Sequence, residues 1–145
     1  MQAVQKTFLP EVFRLVRGIR KRFNARATAL DMTYARAQAL VTIAGCEGLT
    51  QVELAERLDI RTPSMNRTLD ALEAAGLVER RFSAEDKRVR CLYLTADARR
   101  QARDVTEFTD DLRREVYRGI DPDELDQALA TIRKIQRNLD AMGAR

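Results

Sequence analysis

The sequence predicts a mainly α-helical chain with one small β-hairpin. Three observations predict it. Apolar residues recur at three- and four-residue steps over long stretches near both ends, the period of amphipathic helices. Between positions 49 and 76, two short helical patterns are separated only by the turn Leu58-Asp59-Ile60-Arg61. Positions 77–94 then hold two short runs with strand-like alternation around a polar turn.

The first helix is expected over 8–29, with Phe8, Val12, Leu15, Val16, Ile19 and Phe23 along one side. Arg14, Arg17, Lys21 and Arg22 fill much of the other. Proline fits only the first turn of a helix, so Pro10 sets the expected start near Leu9. Thr33 caps a second helix over 34–44, whose buried face is expected to be Ala37, Leu40, Val41 and Ala44. Thr50 opens a third. Its oxygen is placed to accept the Glu53 N–H, and the Glu53 side chain to reach back to the Thr50 N–H. Leu54 and Leu58 share its inner face. In the fourth helix, Thr62 is expected as N-cap, Pro63 as the first helical residue and Gly76 as the stop.

Leu77 to Phe82 and Arg88 to Leu94 read as the two strands, with Ser83 to Lys87 as their turn. Thr95 caps a long helix to about position 118, with Ala102, Val105, Phe108, Leu112 and Val116 as its apolar line. Gly119 ends it. Asp121-Pro122-Asp123-Glu124 starts the last helix, with Leu125, Leu129, Ile132, Ile135 and Leu139 on one face. Three long amphipathic helices carry more apolar surface than a central unit of this size can cover. The excess predicts a twofold homodimer.

Two short helices joined by a tight turn form a helix-turn-helix, and a basic hairpin beside the second helix is a wing. At roughly 100° per residue, Met65, Leu69 and Leu72 face the core of the fourth helix. Pro63, Arg67, Asp70 and Ala74 point outward, flanked by Ser64 and Ala71. A small flat residue, a hydroxyl and an arginine at a helix N-terminus suit a major groove: arginine bridges guanine O6 and N7, serine bonds a base edge or phosphate, and proline touches a thymine methyl. The hairpin carries Arg80, Arg81, Lys87, Arg88 and Arg90, and a tip arginine suits the negative potential of a narrow minor groove. Arg90, Arg81 and Gln51 are expected phosphate partners. The competing reading is a winged-helix protein–protein module without DNA binding, which has no need of arginines aimed at a groove.

Bulk composition narrows the function. The 145 residues carry a net charge of +4, with 45% hydrophobic and 33% charged residues and no histidine, so one globular domain with long solvated helices is expected. Residues 1–36 hold eight Lys and Arg against two Asp and Glu, whereas 37–95 hold eight against nine and 96–145 ten against eleven. The reading segment is therefore not basic in bulk; its arginines are placed. Without histidine, a glycine-rich phosphate loop or a metal-ligand cluster, neither enzyme chemistry nor a cofactor is expected. Cys46 and Cys91 match no zinc spacing and are expected to be small buried hydrophobes. No run of eighteen apolar residues and no secretory h-region occurs, so a cytoplasmic protein with no membrane span is expected.

The strings Leu49-Thr50-Gln51, Thr62-Pro63-Ser64, Arg67-Thr68-Leu69, Gly76-Leu77-Val78 and Asp86-Lys87-Arg88-Val89-Arg90, followed by Leu94-Thr95, resemble the MarR family of bacterial transcriptional regulators, and the SlyA-like branch in particular. The resemblance spans nearly the whole chain, and its most specific element is the wing string Asp86-Lys87-Arg88. It implies one domain over 1–145, with a winged helix-turn-helix at 33–95 and a helical dimerisation region at 8–29 and 96–142. It implies a homodimer on a pseudo-palindromic operator of double-stranded DNA. Thr62, Pro63, Ser64 and Arg67 would lie at the major groove, Arg88 would enter the minor groove, and Asp86 would hold the wing. It also implies a small phenolic or carboxylate effector, for which Arg14, Arg17, Tyr34 and Arg36 are the candidate cleft residues; the alternative is that these arginines are solvated or touch phosphates. Some relatives sense peroxide through a cysteine in the first helix, and this chain has none there.

Overall fold

The computed structural model describes residues 1–143; the last two positions of the expected 1–145 domain lie outside the described residues. The order is α1 (Ala3–Ala27), a 3-10 turn (Thr28–Leu30), α2 (Tyr34–Gly45), α3 (Gln51–Leu58), α4 (Thr62–Ala74), β1 (Val78–Phe82), β2 (Arg90–Leu94), α5 (Ala96–Val116) and α6 (Pro122–Met142). The chain forms two compact units, Met1–Leu112 and Arg113–Arg145. No described helix is long and apolar enough to cross a membrane.

The core of the first unit is the inner face of the helix-turn-helix. Leu40, Ile43, Leu54, Met65, Leu69, Leu72 and Leu92 are fully buried, and no polar or charged described residue joins them. Phe23 ties α1 to this unit, with its ring 5.0 Å from those of Tyr34 and Phe108. Ala98, Ala102, Val105 and Leu112 bury the inner face of α5, while Val116 is exposed.

Most helix signals act where the sequence places them. Thr33 accepts the Arg36 N–H at 3.2 Å, Thr50 the Glu53 N–H at 3.1 Å and Thr95 the Ala98 N–H at 3.3 Å. The Glu53 side chain, expected to reach the Thr50 N–H, instead accepts the Thr50 hydroxyl at 3.2 Å. Asp121 and Glu124 form the reciprocal cap of α6. Gly76 takes the left-handed conformation, φ 71°, that stops a helix without a Cβ clash.

Four details differ from expectation. First, α1 starts at Ala3 and carries Pro10 inside it. Ala3, Gln5, Lys6 and Leu9 are good helix formers, and the Gln5 side chain accepts the Gln2 N–H at 2.9 Å, so the first turns hold despite the missing bond. Second, Arg61 rather than Thr62 is the N-cap of α4: Arg61 is extended at φ −66° and ψ 146°, and Thr62 is already helical. Third, α2 buries Ala37, Ala39, Leu40 and Ile43, leaving Val41 half-buried and Ala44 exposed. The three-residue step from Leu40 selects Ile43, whose larger side chain gains more from burial than that of Ala44. Fourth, neither cysteine is buried: Cys46 is the exposed C-cap of α2. Cys91 alternates onto the face of β2 opposite Leu92 and Leu94 and is half-buried.

The two strands pair antiparallel with Val78 opposite Leu94, Arg80 opposite Leu92 and Phe82 opposite Arg90. Each is shorter than its apolar pattern. Leu77 still donates to the Leu72 carbonyl in the turn after α4, and Val89 donates to Asp86 inside the tip. The outer edge of β2 is covered. Leu92 donates to Leu49 at 2.9 Å, and Glu47 accepts the Leu94 N–H at 2.8 Å while pairing with Arg99 of α5 at 2.9 Å.

The Leu94 N–H bond, and secondarily Arg99, holds the Glu47 carboxyl below its ordinary 4.5 despite an opposing desolvation. A depressed folded pKa adds stability that is fully present above the ordinary value and lost as pH falls through the lowered one. Glu47→Gln keeps the acceptor oxygen and removes the charge. We expect it to cost about 1 kcal/mol at neutral pH. Urea titrations at neutral pH and at successively lower pH should show that gap narrowing as the carboxyl protonates; a gap independent of pH would refute the charge contribution.

Candidate nucleic-acid interface

The first turns of α4 present Thr62, Pro63, Ser64 and Arg67 to solvent. Met65, Leu69 and Leu72 are buried on the opposite side, which fixes the rotation of the helix. The Arg67 guanidinium donates to Ser64 Oγ at 3.3 Å, so the two expected base readers sit side by side. Asp59, left-handed at φ 50°, makes the turn that leads from α3 toward α4. Gln51 at the start of α3 spans to α4, donating from Nε2 to Asn66 Oδ1 at 3.1 Å. Gln51 thus links the two helices at the surface while Leu54, Met65 and Leu69 are buried beneath. Asn66 was not singled out by sequence, because nothing local marks a bond fifteen residues long.

The wing is joined to α4 by Arg80. The sequence groups this residue with the exposed wing cations, but its side chain is only 12% exposed. Nη2 donates to Asp70 at 2.6 Å and to the Asn66 carbonyl at 3.4 Å, while Nε lies 3.4 Å from Glu73. Strand alternation explains the correction: Arg80 shares the inner face with buried Val78, Leu92 and Leu94. Its charge is committed to the clamp and leaves none for DNA.

Arg81 lies on the other face. It bonds Glu79 at 2.7 Å and stacks 4.2 Å over the Tyr93 ring. The Glu79 bond pushes the Arg81 pKa further up. Its expected phosphate contact therefore requires exchange of Glu79 for the phosphate. Arg88 is different. Its side chain is 92% exposed at the hairpin tip. Asp86 accepts the Arg88 backbone N–H at 3.0 Å, Nε at 3.2 Å and Nη2 at 3.3 Å. These bonds, the side-chain one foremost, hold the Asp86 carboxyl below its ordinary range. One carboxylate thus shapes the tip turn and aims its arginine. Arg90 completes the set, stacked 4.5 Å over Phe82.

A cavity of about 860 Å³ lies against the other side of the turn between α3 and α4. Its wall includes Arg20, Tyr34, Gln38, Arg57, Asp59 and Ile60. Of the expected cleft residues it contains Tyr34; Arg14, Arg17 and Arg36 are not on its wall. At 1.5 Å per residue, Arg17 and Arg14 sit roughly one and two helical turns farther from the end of α1 than Arg20 does. Arg20 is instead 4.7 Å from the Tyr34 ring centroid, and Gln38 donates to Tyr34 Oη at 3.0 Å. That bond occupies an acceptor site on the phenol and leaves its O–H free to donate.

The fold and sequence have known counterparts. A family model described as the MarR family matches residues 30–89. The crystal structure of transcriptional regulator PA3341 is 30% identical, with 92% of this chain and 98% of that chain covered at a TM-score of 0.84. A mutant MarR from E. coli complexed with operator DNA is 25% identical, with 93% and 99% covered and a TM-score of 0.78. The transcriptional regulator SlyA shares the fold at a TM-score of 0.82 and 19% identity, with 91% and 93% covered.

Proposed function

We propose that this chain, which belongs to the MarR family of transcriptional regulators, works as a homodimer that reads a pseudo-palindromic operator in double-stranded DNA. The similar MarR from E. coli is complexed with operator DNA, and the same class of target is assigned here. The observation that carries the reading is the Arg80 clamp. It fixes the wing to α4 while Arg67 on the helix and Arg88 at the tip stay open to solvent. Arg67 and Ser64 read bases in the major groove, Pro63 makes an apolar contact beside Thr62, and Arg88 probes the minor groove on its Asp86 tether.

Exposed Phe8, Phe13, Val16 and Ile19 give α1 an apolar face for a second copy, and exposed Leu129, Ile132 and Leu139 give α6 one of its own. A twofold axis sets the two recognition helices about one DNA turn, roughly 10 bp, apart. We assign the chain to the SlyA-like branch on its overall sequence resemblance and place its action in the cytoplasm. The effector is a small phenolic or carboxylate anion in the cavity beside Tyr34, drawn by Arg20 and Arg57. It releases DNA because it binds the DNA-free shape more tightly.

Selection of duplexes of about 25–30 bp from random sequence, with affinity measured at two salt concentrations, tests the proposal. We expect a selected pseudo-palindrome and an affinity that falls steeply with salt, with a logarithmic slope of about −0.9 per phosphate neutralised. Failure to enrich any sequence would overturn DNA reading. Salicylate-like anions that leave operator affinity unchanged would remove the effector.

A further inference from the structure

The four wing arginines are held in two different ways. Arg80, Arg81 and Arg88 each pair with a carboxylate, on Asp70, Glu79 and Asp86 respectively. Among the described residues no carboxylate pairs with Arg90; its guanidinium lies instead 4.5 Å from the centroid of the Phe82 ring. Phe82 is 62% exposed, so burial does not account for a phenyl group there. Strand alternation puts Val78, Arg80 and Phe82 on one face, opposite Leu94, Leu92 and Arg90. The first four positions of that face are spent on the core and on the α4 clamp. Phe82 and Arg90 extend the same face past the core toward the tip.

We propose that Phe82 is a positioning residue that holds Arg90 ready for a DNA phosphate without neutralising its charge. A carboxylate partner orders an arginine but offsets its charge and occupies part of its N–H edge. An aromatic face orders the same side chain through its quadrupole and leaves the N–H edge and the net charge available. The phosphate then meets a guanidinium whose rotamers are already restricted, which lowers the ordering cost of binding. This rests on the DNA-reading function proposed above.

The test compares operator affinity across a salt series for the parent, Phe82→Ala, Phe82→Tyr, Arg90→Ala and the Phe82→Ala/Arg90→Ala double variant, with thermal melting as a fold control. Arg90→Ala should lower the salt slope by about 1 for each copy on the duplex. Phe82→Ala should weaken binding about two- to tenfold per half-site and move the slope toward that of Arg90→Ala. Phe82→Tyr should restore both, and the double variant should bind no worse than Arg90→Ala alone. A silent Arg90→Ala, a silent Phe82→Ala, or losses that simply add in the double variant would overturn the positioning role. A parent protein without salt-dependent operator binding would overturn the DNA reading itself, which separates the two failures.

Discussion

Arg88→Ala is expected to weaken operator binding by roughly tenfold or more at each half-site, while melting temperature and dimer state stay unchanged. The expectation follows from how the side chain is held. It is 92% exposed and makes no packing contribution to the fold. Its one tether is Asp86, which the variant leaves bonded to the backbone N–H of position 88. The tip turn therefore survives and only the probe is lost. A narrow minor groove concentrates negative potential, so the loss should be largest on operators with an A·T-rich flank where the tip lands. Asp86→Ala acts differently: it frees both the turn and the guanidinium, and should cost affinity through disorder of an arginine that is still present. Fluorescence anisotropy with both variants separates the two effects. Unchanged binding by Arg88→Ala would remove the wing from the reading surface.

Leu69→Ala should cost about 3 kcal/mol of unfolding free energy. Leu69 is fully buried at the centre of α4, between the core of the helix-turn-helix and the face that carries Arg67. Removing its side chain leaves a cavity that neighbouring Met65 and Leu72, themselves fully buried, cannot both fill. The rotation of α4 is set by these three residues, so operator affinity should fall together with stability. Denaturant titration gives the first quantity and a binding curve at low temperature the second. A loss below about 1 kcal/mol would mean that α4 is not anchored by this face. The contrast with Arg88 is physical: one residue fixes the reader in place, and the other is fixed by it.

Local chemistry was legible along the chain. Caps at Thr33, Thr50, Thr95 and Asp121 and the glycine stop at Gly76 depend on neighbours within a few residues, so their spacing is written in the sequence. The wedge of Met65, Leu69 and Leu72 follows from helical period alone, and it determines that Pro63, Ser64 and Arg67 face outward. The extra turns of α1 before Pro10 and the shift of the α4 cap to Arg61 are differences in element ends, where propensities compete closely.

What the tertiary structure decided is which arginines are available. Arg80, Arg81, Arg88 and Arg90 look alike in sequence. Glu79 and Asp86 stand two residues from Arg81 and Arg88, but the other partners come from elsewhere: Asp70 and Glu73 across the α4–β1 contact for Arg80, Tyr93 for Arg81 and Phe82 across the hairpin for Arg90. The cavity wall is another such case, since Arg20 and Arg57 belong to separate helices thirty-seven positions apart and meet around Tyr34 only in the folded chain. Periodicity tells which side of an element a residue occupies, because that depends on backbone geometry alone. It does not tell what stands opposite, because ion pairs and ring contacts between elements are fixed only when the core closes.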